Sequence, residues 1–518
     1  MNRKLSVVGL GAAVALGAIA CDNDKLTRIN ENPNSPTDAP AGPLFTNAVR
    51  LATSRWLGAL DLRSLSLVAQ HLAEVQYPET DQYKRLTAGF TTGTFDGAYA
   101  GELKDLEQVS RKGEELAEPG IWAPAEIMKT WVFGYLTDSW GDIPYSEALK
   151  GDDEGGSIAP AYDMQEAIYD DFFVVLDGAV SALESAAPDA TDLGAADPLY
   201  GGNFESWQRF GNSLRARHAL RLVNVDPAQA SSELQAAFTA AAGVIEDNAD
   251  NAVLHWPGDG VFNNPWADNF KTRDDHRISD RLMAVLLVTD DPRLPVYAQP
   301  TEDGDYVGLP NALDHADAST FINTTSRPGE VFYPGATSYG TFGGDGASFP
   351  SYLMTAAEVL FIKAEAAERG LGGLGAALAQ GFYEAAIRAS MEQWGVTDNA
   401  AITAFLANPA VSYAAAGSQV ERLKRIAVQK WVALYASGAQ AWFEWRRTCQ
   451  PETLFPGPEA IEDAIPRRLQ YSATELSVNS ASLNAAVSRQ GPDLFSTPVY
   501  WDSSPTAAPT YVAGCGER

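Results

Sequence analysis

Apolar residues recur in this chain at three- and four-residue intervals over most of its length, while alternation at every second residue is rare. The first spacing lines up one face of a helix and the second one face of a strand, so the chain is restricted to a mainly helical body. Between residues 44 and 250 the pattern predicts helices near 44–57, 61–76, 96–117, 124–139, 162–185, 204–223 and 228–248. It resumes at Tyr352, where Ala357, Leu360, Phe361, Ala364 and Ala367 share one face. A second helix, opening at Leu374-Gly375, carries Leu378, Phe382, Ala385, Ala386 and Ala389; a third, Glu421 to Tyr435, presents Leu423, Ala427, Trp431, Leu434 and Tyr435. Alanine at contact positions lets antiparallel helices approach closely, and a helix pair of about forty residues has the size of a tetratricopeptide-like unit. The expected fold class is all-α, a stack of helix pairs with tetratricopeptide-like units plus a loop-rich insertion.

That insertion is residues 251–350, where 19 of 100 residues are Gly or Pro and helical spacing survives only near Ile278 to Val288. Short strands are expected there, and a long irregular stretch inside a compact domain tends to be functional. At the other end, Arg3 and Lys4 precede an apolar run from Leu5 to Ala20, followed by Cys21. Sixteen apolar residues are short of the roughly twenty that span a bilayer, and a basic start with small residues at the cut marks a signal peptide. Cysteine at the cut site invites lipidation of Cys21; a plain secretory signal followed by cysteine is the alternative. Residues 22–43, with four prolines and almost nothing apolar, read as a tether. The expected division is therefore 1–20 signal peptide, 21–43 lipidated tether, 44–250 helical N-terminal part, 251–350 insertion and 351–518 helical C-terminal part, with 44–250 and 351–518 packed as one body.

The formal charge is −30. Such a field repels nucleic acid and anionic lipid head groups, so neither is an expected partner and membrane residence falls to the N-terminal lipid. With Cys21 lipidated, Cys449 and Cys515 remain as a pair in an oxidising compartment, either bonded or free and buried.

Catalytic signatures are absent from the sequence. The five histidines are scattered without metal-ligand spacing, and there is no GxSxG elbow or Walker loop. Gly340-Thr341-Phe342-Gly343-Gly344-Asp345-Gly346 reads as a surface loop. Carboxylate doublets at Asp152-Asp153, Asp170-Asp171, Asp274-Asp275 and Asp290-Asp291 raise the possibility of a glycosidase dyad, but nothing selects one pair. No cofactor is indicated; Asp152-Asp153-Glu154 could help hold calcium, though EF-hand spacing is missing. Arg217 and Arg221, four apart on one helix, are expected to face inward onto buried carboxylates, with Asp138 and Asp142 as possible partners; Arg446 and Arg447 beside Trp442 and Trp445 suggest a cation stacked on indole.

Within the insertion, Trp256, Phe262, Trp266, Tyr333, Tyr339 and Phe342 sit among Asn, Asp, Gly and Pro, with Asn263 and Asn264 adjacent. Exposed rings beside amides are a usual means of holding a sugar: the ring takes the C–H face and the amide takes hydroxyls. These eight residues are the candidate ligand site, half or more of the rings being expected to pack the insertion onto the helices.

Several blocks occur in order: the lipobox ending at Cys21, INENPNSPTDAP, WVFGYLTDSWGDIPYSEAL at 131–149, FGNSLRARHALRL at 210–222, PSYLMTAAEVLFIKAEAAERG at 350–370, IAVQKWVALYASGAQAWFEWRRT at 426–448, IPRRLQYSATELSVN at 465–479, and VYWD from Val499 to Asp502. Together they resemble the SusD/RagB family of outer-membrane nutrient-binding lipoproteins, in particular its SusD-like second branch. The resemblance implies a lipid-anchored lid over a TonB-dependent, SusC-like transporter, facing the cell exterior and capturing an oligosaccharide or peptide without catalysis. A lipid-anchored glycan hydrolase on a helical scaffold is the competing expectation. Ligand residues vary across the family, so none carries over; Gly141 to Tyr145 and Ile465 to Arg468 read as scaffold, the first a helix end and turn, the second an extended docking segment.

Overall fold

The computed structural model describes residues 39–335 and 345–502. The first helices are α1 Ala41–Ser54, α2 Ala88–Ala98, α3 Lys104–Glu115, α4 Pro119–Trp140, α5 Gln165–Glu184, α6 Phe204–Arg221 and α7 Pro227–Thr239. The insertion holds α8 Pro265–Phe270 and α9 Asp280–Val288, and the C-terminal part α10 Ala356–Arg369, α11 Ala379–Gln393, α12 Gln419–Ala433, α13 Gly438–Thr448 and α14 Ser480–Gln490. Successive helices pack on one another from α3 through α7; α10 packs on α6, α11 and α12, which fuses the two helical parts around one core. This is the expected stack of helix pairs.

Local chemistry sets the boundaries. Asn203 caps α6 by accepting from the Ser206 amide at 2.9 Å, and Asp226 accepts from Gln229 ahead of α7, where Pro227 occupies the first turn. Helix α4 stops at Gly141, whose φ of +84° suits a residue without a side chain. Two expectations change. The helix near 61–76 breaks after π-helical turns at Arg55–Ala59 and Asp61–Leu65, and residues Leu72–Glu74 become strand β1; a continuous buried apolar run satisfies either periodicity. The helix near 228–248 ends at Thr239, before a left-handed Gly243.

Strands are few: β2 Ile143–Pro144 pairs with β3 Tyr162–Asp163, β4 Ala252–Leu254 with β6 Ser351–Met354, and β1 with β5 His276–Ile278, all antiparallel. The last two ribbons locate the insertion. The β4–β6 pair closes its two ends on each other, and β1–β5 ties its middle to the N-terminal part.

The sequence suggests a one-faced α10, yet Ala356 through Glu368 are buried on every side. Its charged residues survive burial by pairing. Glu358 accepts from Arg217 at 2.7 Å on both oxygens, Lys363 donates to Glu246 at 2.6 Å, and Glu365 holds Arg447 at 2.7 and 2.6 Å. Burial alone would raise the Glu365 carboxyl, but Arg447 and Arg369 outweigh it and bring it down to about 2. Glu444 on α13 is contacted by Arg221, Arg447 and Lys430 and is held well below the usual carboxylate range against the same burial. Arg221 also reaches Asp138 at 3.4 Å, the expected partner; Asp142 pairs instead with Arg489 at 2.8 Å. Arg446 lies over the Trp442 and Trp501 rings at 4.0 and 4.6 Å, as the stacking expectation required.

Candidate functional site

Between α1, the π-helical turns and the start of the insertion lies a cleft of about 360 Å3. The helical body contributes Arg50, Ser54, Leu62 and Arg63; the insertion contributes Trp256, Phe262, Asn263, Asp268, Asn269 and Arg273. The two sides meet closely at Gly58, where a Cβ would lie 2.6 Å from Cβ of Pro265, so a side chain there would push α8 away.

The loop that forms one wall is held by its own polar groups. Asp259 accepts from the Val261 and Phe262 amides, both at 2.8 Å, which lowers its carboxyl. Asn263 accepts from the Gly260 amide at 2.9 Å and donates to Asp268 at 2.9 Å. Gly258 and Gly260, with φ of +68° and +89°, supply the left-handed turns that this path needs. The result is a fixed loop that presents Phe262 to solvent at 42% exposure.

Of the eight residues expected at a ligand, the structure brings Trp256, Phe262 and Asn263 together at this cleft. Trp256 is its floor: the ring is buried and its indole N–H donates to Ser351 at 2.9 Å. Asn264 is buried as the cap of α8, accepting from the Trp266 amide at 2.8 Å and donating to the Phe349 carbonyl at 2.9 Å. Trp266 lies 2% exposed against Phe332, with ring centres 4.5 Å apart, and Tyr333 stacks on Phe270 at 4.6 Å. For Asn264, Trp266 and Tyr333 the expectation of exposure is therefore corrected: polar neighbours suggested a surface, but those amides serve as caps and turn anchors while the rings pack the insertion onto the helices. Tyr339 and Phe342 lie outside the described residues, as do Cys21, Cys515 and the signal and tether up to residue 38. Cys449 is buried at the end of α13 and is not a free thiol.

Three arginines at the cleft escaped the sequence reading. Among the described residues, Arg50 and Arg63 meet only neutral partners: Arg50 donates to Asn47 Oδ1 at 2.9 Å and Arg63 to Asn269 Oδ1 at 2.9 Å. Arg273 pairs with Asp275 at 3.2 Å. The signal was present, since neither Arg50 nor Arg63 has an acidic residue three or four positions away.

Three of the four carboxylate doublets contribute to ion pairs. Asp152 pairs with Lys104 and Asp153 with Arg111, each at 2.6 Å. Asp274 holds Arg277 and Arg327, and Asp291 holds Arg293. Burial pushes the His71 and His276 imidazoles down to about 3 and holds His218 well below its usual value, which leaves three neutral core histidines. Among the described residues no cluster of His, Cys, Asp or Glu is arranged to hold a metal ion.

A family model for SusD-like proteins, described as "Starch-binding associating with outer membrane", matches residues 33–472. The chain belongs to the SusD-like family. Solved structures agree: a SusD homolog from Bacteroides uniformis is 26% identical with a TM-score of 0.74, covering 90% of this chain and 100% of that one. A chitin-binding SusD homolog from Flavobacterium johnsoniae is 27% identical with a TM-score of 0.75, covering 89% and 97%. A SusD-like protein from Bacteroides thetaiotaomicron, 23% identical with a TM-score of 0.76 over 90% and 100%, shows the shared fold alone. No curated protein matches. The SusD-like family is associated with the outer membrane, and no helix among the described residues is long and apolar enough to cross one.

In this SusD-like protein the ordered sequence blocks interlock as scaffold. Trp442 donates to the Pro466 carbonyl at 2.8 Å, Arg467 grips Asp502, and Trp501 donates to Asp138 at 2.8 Å. The block residues thus bind one another, and the cleft is built from segments outside most of them.

Proposed function

We propose that this protein is a lipid-anchored, outward-facing component of the outer membrane that captures a nutrient oligosaccharide, or a peptide, and passes it unchanged to a TonB-dependent, SusC-like transporter. The observation that carries the reading is the cleft itself, where the exposed Phe262 ring, a buried indole floor and the exposed polar groups of Arg63 and Asp268 form a surface suited to sugar C–H faces and hydroxyls. One carboxylate, Asp268, lines this cleft, held by Lys271 at 2.6 Å and by Asn263, whereas glycoside hydrolysis ordinarily uses two, which supports capture without turnover.

The chitin-binding relative makes N-acetylglucosamine oligomers natural first probes. Incubation of the purified chain with a glycan panel is expected to give saturable binding with no new chain ends. Cleavage at catalytic rates would refute the reading in favour of a hydrolase. Metabolic labelling with a palmitate analogue should tag Cys21, and co-purification should recover a large β-barrel partner.

A further inference from the structure

The cleft is electropositive in a protein that is not. The chain has 37 basic and 67 acidic residues, and its interior arginines other than Arg446 pair with carboxylates, as in Arg217–Glu358, Arg293–Asp291 and Arg447–Glu365. At the cleft this pairing lapses. Arg50 and Arg63 rest on amide oxygens, Arg273 shares Asp275 at 3.2 Å, and Asp268 is balanced by Lys271. Arg63, Arg273 and Phe262 are exposed and Arg50 is half-buried, its guanidinium 5.2 Å from the centre of the Phe262 ring. Three cations with no more than one shared counter-charge, beside an exposed ring, form a recognition surface for an anion attached to an apolar ring face.

We propose that the cleft selects a carboxylate-bearing oligosaccharide, its acid group gripped by Arg50 and Arg63 with Arg273 at the rim and its sugar ring laid on Phe262. This rests on the binding reading above and names the chemical class of its ligand. A planar guanidinium presents paired N–H donors that match a carboxylate, and its hydrogen bonds to charge are about twice as strong as neutral ones. A neutral sugar offers these guanidinium groups only hydroxyl acceptors, a weaker match than a carboxylate that also carries the opposite charge. The specificity is local: the amides of Asn47 and Asn269 fix the guanidinium groups without cancelling them.

The whole chain in detergent is titrated calorimetrically with tetragalacturonate and with chitotetraose, at low and high salt. The expected result is tighter binding of tetragalacturonate, weakened by salt, with Arg50→Gln and Arg63→Gln each losing about tenfold, the loss typical of one charge-assisted bond. Arg388→Gln, which removes an arginine outside the cleft that donates to Asn399, should leave both affinities unchanged. Circular dichroism of the variants checks that the fold is kept. Equal or tighter binding of chitotetraose, unaltered by Arg63→Gln, would overturn the proposal and leave the sugar-binding reading standing. Binding of an acidic peptide alone would overturn the proposal and leave the capture reading standing, and failure of every glycan and peptide to bind would overturn both.

Discussion

Replacing Glu358 by Gln tests how dry the interface between the two helical parts is. Arg217 on α6 donates from Nε and an NH2 group to the two Glu358 oxygens, both at 2.7 Å, and to the Leu353 carbonyl at 3.1 Å, with side chains 3% and 4% exposed. Burial alone would lower the Arg217 guanidinium; Glu358 outweighs it and raises it. Gln retains an acceptor for one donor but turns its own N–H2 toward the other, and it removes the only counter-charge within bonding distance among the described residues. Two charge-assisted bonds are each worth about 1.5–3 kcal/mol, and breaking a buried pair on one side costs about 3–5 kcal/mol. Urea unfolding followed by tryptophan fluorescence should show that loss as a lower midpoint at constant slope. The double variant Arg217→Met with Glu358→Leu should recover most of it, because an apolar pair removes both desolvation costs. A loss below about 1 kcal/mol for Glu358→Gln would refute the reasoning, since it would mean that water reaches the guanidinium.

Three further outcomes follow from the geometry around the cleft. Gly58→Ala sets a methyl 2.6 Å from Pro265 and should cost about 1–3 kcal/mol of stability in thermal or urea unfolding, with a parallel fall in glycan affinity as α8 shifts. Burial raises the Asp61 carboxyl to about 7, against hydrogen bonds from Ser66 and the Ala439 and Gly438 amides. A raised acid favours the folded state while protonated, so its contribution is complete below about pH 4 and lost as pH climbs through 7. Relative to Asp61→Asn, wild type should therefore lose up to about 4 kcal/mol between pH 4 and 8, and parallel pH curves would contradict this. Phe262→Ala should leave the urea midpoint within about 0.5 kcal/mol of wild type while weakening glycan binding by about 0.5–1.5 kcal/mol in the same calorimetric titration.

Local periodicity made the scaffold legible and long-range pairing hid the rest. Helices near 124–139, 162–185 and 204–223 are found as Pro119–Trp140, Gln165–Glu184 and Phe204–Arg221, because amphipathic spacing is a property of the segment itself. Inward-facing Arg217 and Arg221 could be read from an acidic chain, but Glu358 and Glu444 lie 141 and 223 residues away and carry no local mark. Of the candidate cleft, Trp256, Phe262 and Asn263 were legible in the sequence. Asn and Asp around Trp256 and Trp266 suggested exposed rings, whereas Asn264 caps a helix and Asp259 closes a turn, uses that look identical in sequence to ligand contacts. α2 was missed because its Gly- and Thr-rich sequence has weak propensity; burial of Phe95 and Ala98 holds it.

The buried charges explain why a loop can serve as a rigid wall. Glu444 joins α6, α12 and α13 through Arg221, Lys430 and Arg447, and Arg447 extends the link to Glu365 on α10. The bonds from Glu444 to Arg221 and Lys430, and from Arg447 to Glu365, fix the register of one helix on another, since a shift by one residue would strand a charge in the core. The β4–β6 ribbon then starts from this fixed frame, with Arg217 bonded to the Leu353 carbonyl within β6 and Trp256 bonded to Ser351 at its other end. The segment from Trp256 to Phe262 therefore leaves a strand whose position is set by the core, and Asp259 and Asn263 hold the turn that follows. The backbone at Phe262 is thus held by hydrogen bonds within the protein itself. Little conformational entropy remains to be lost on binding, so a few rings and guanidinium groups suffice for a surface of this size.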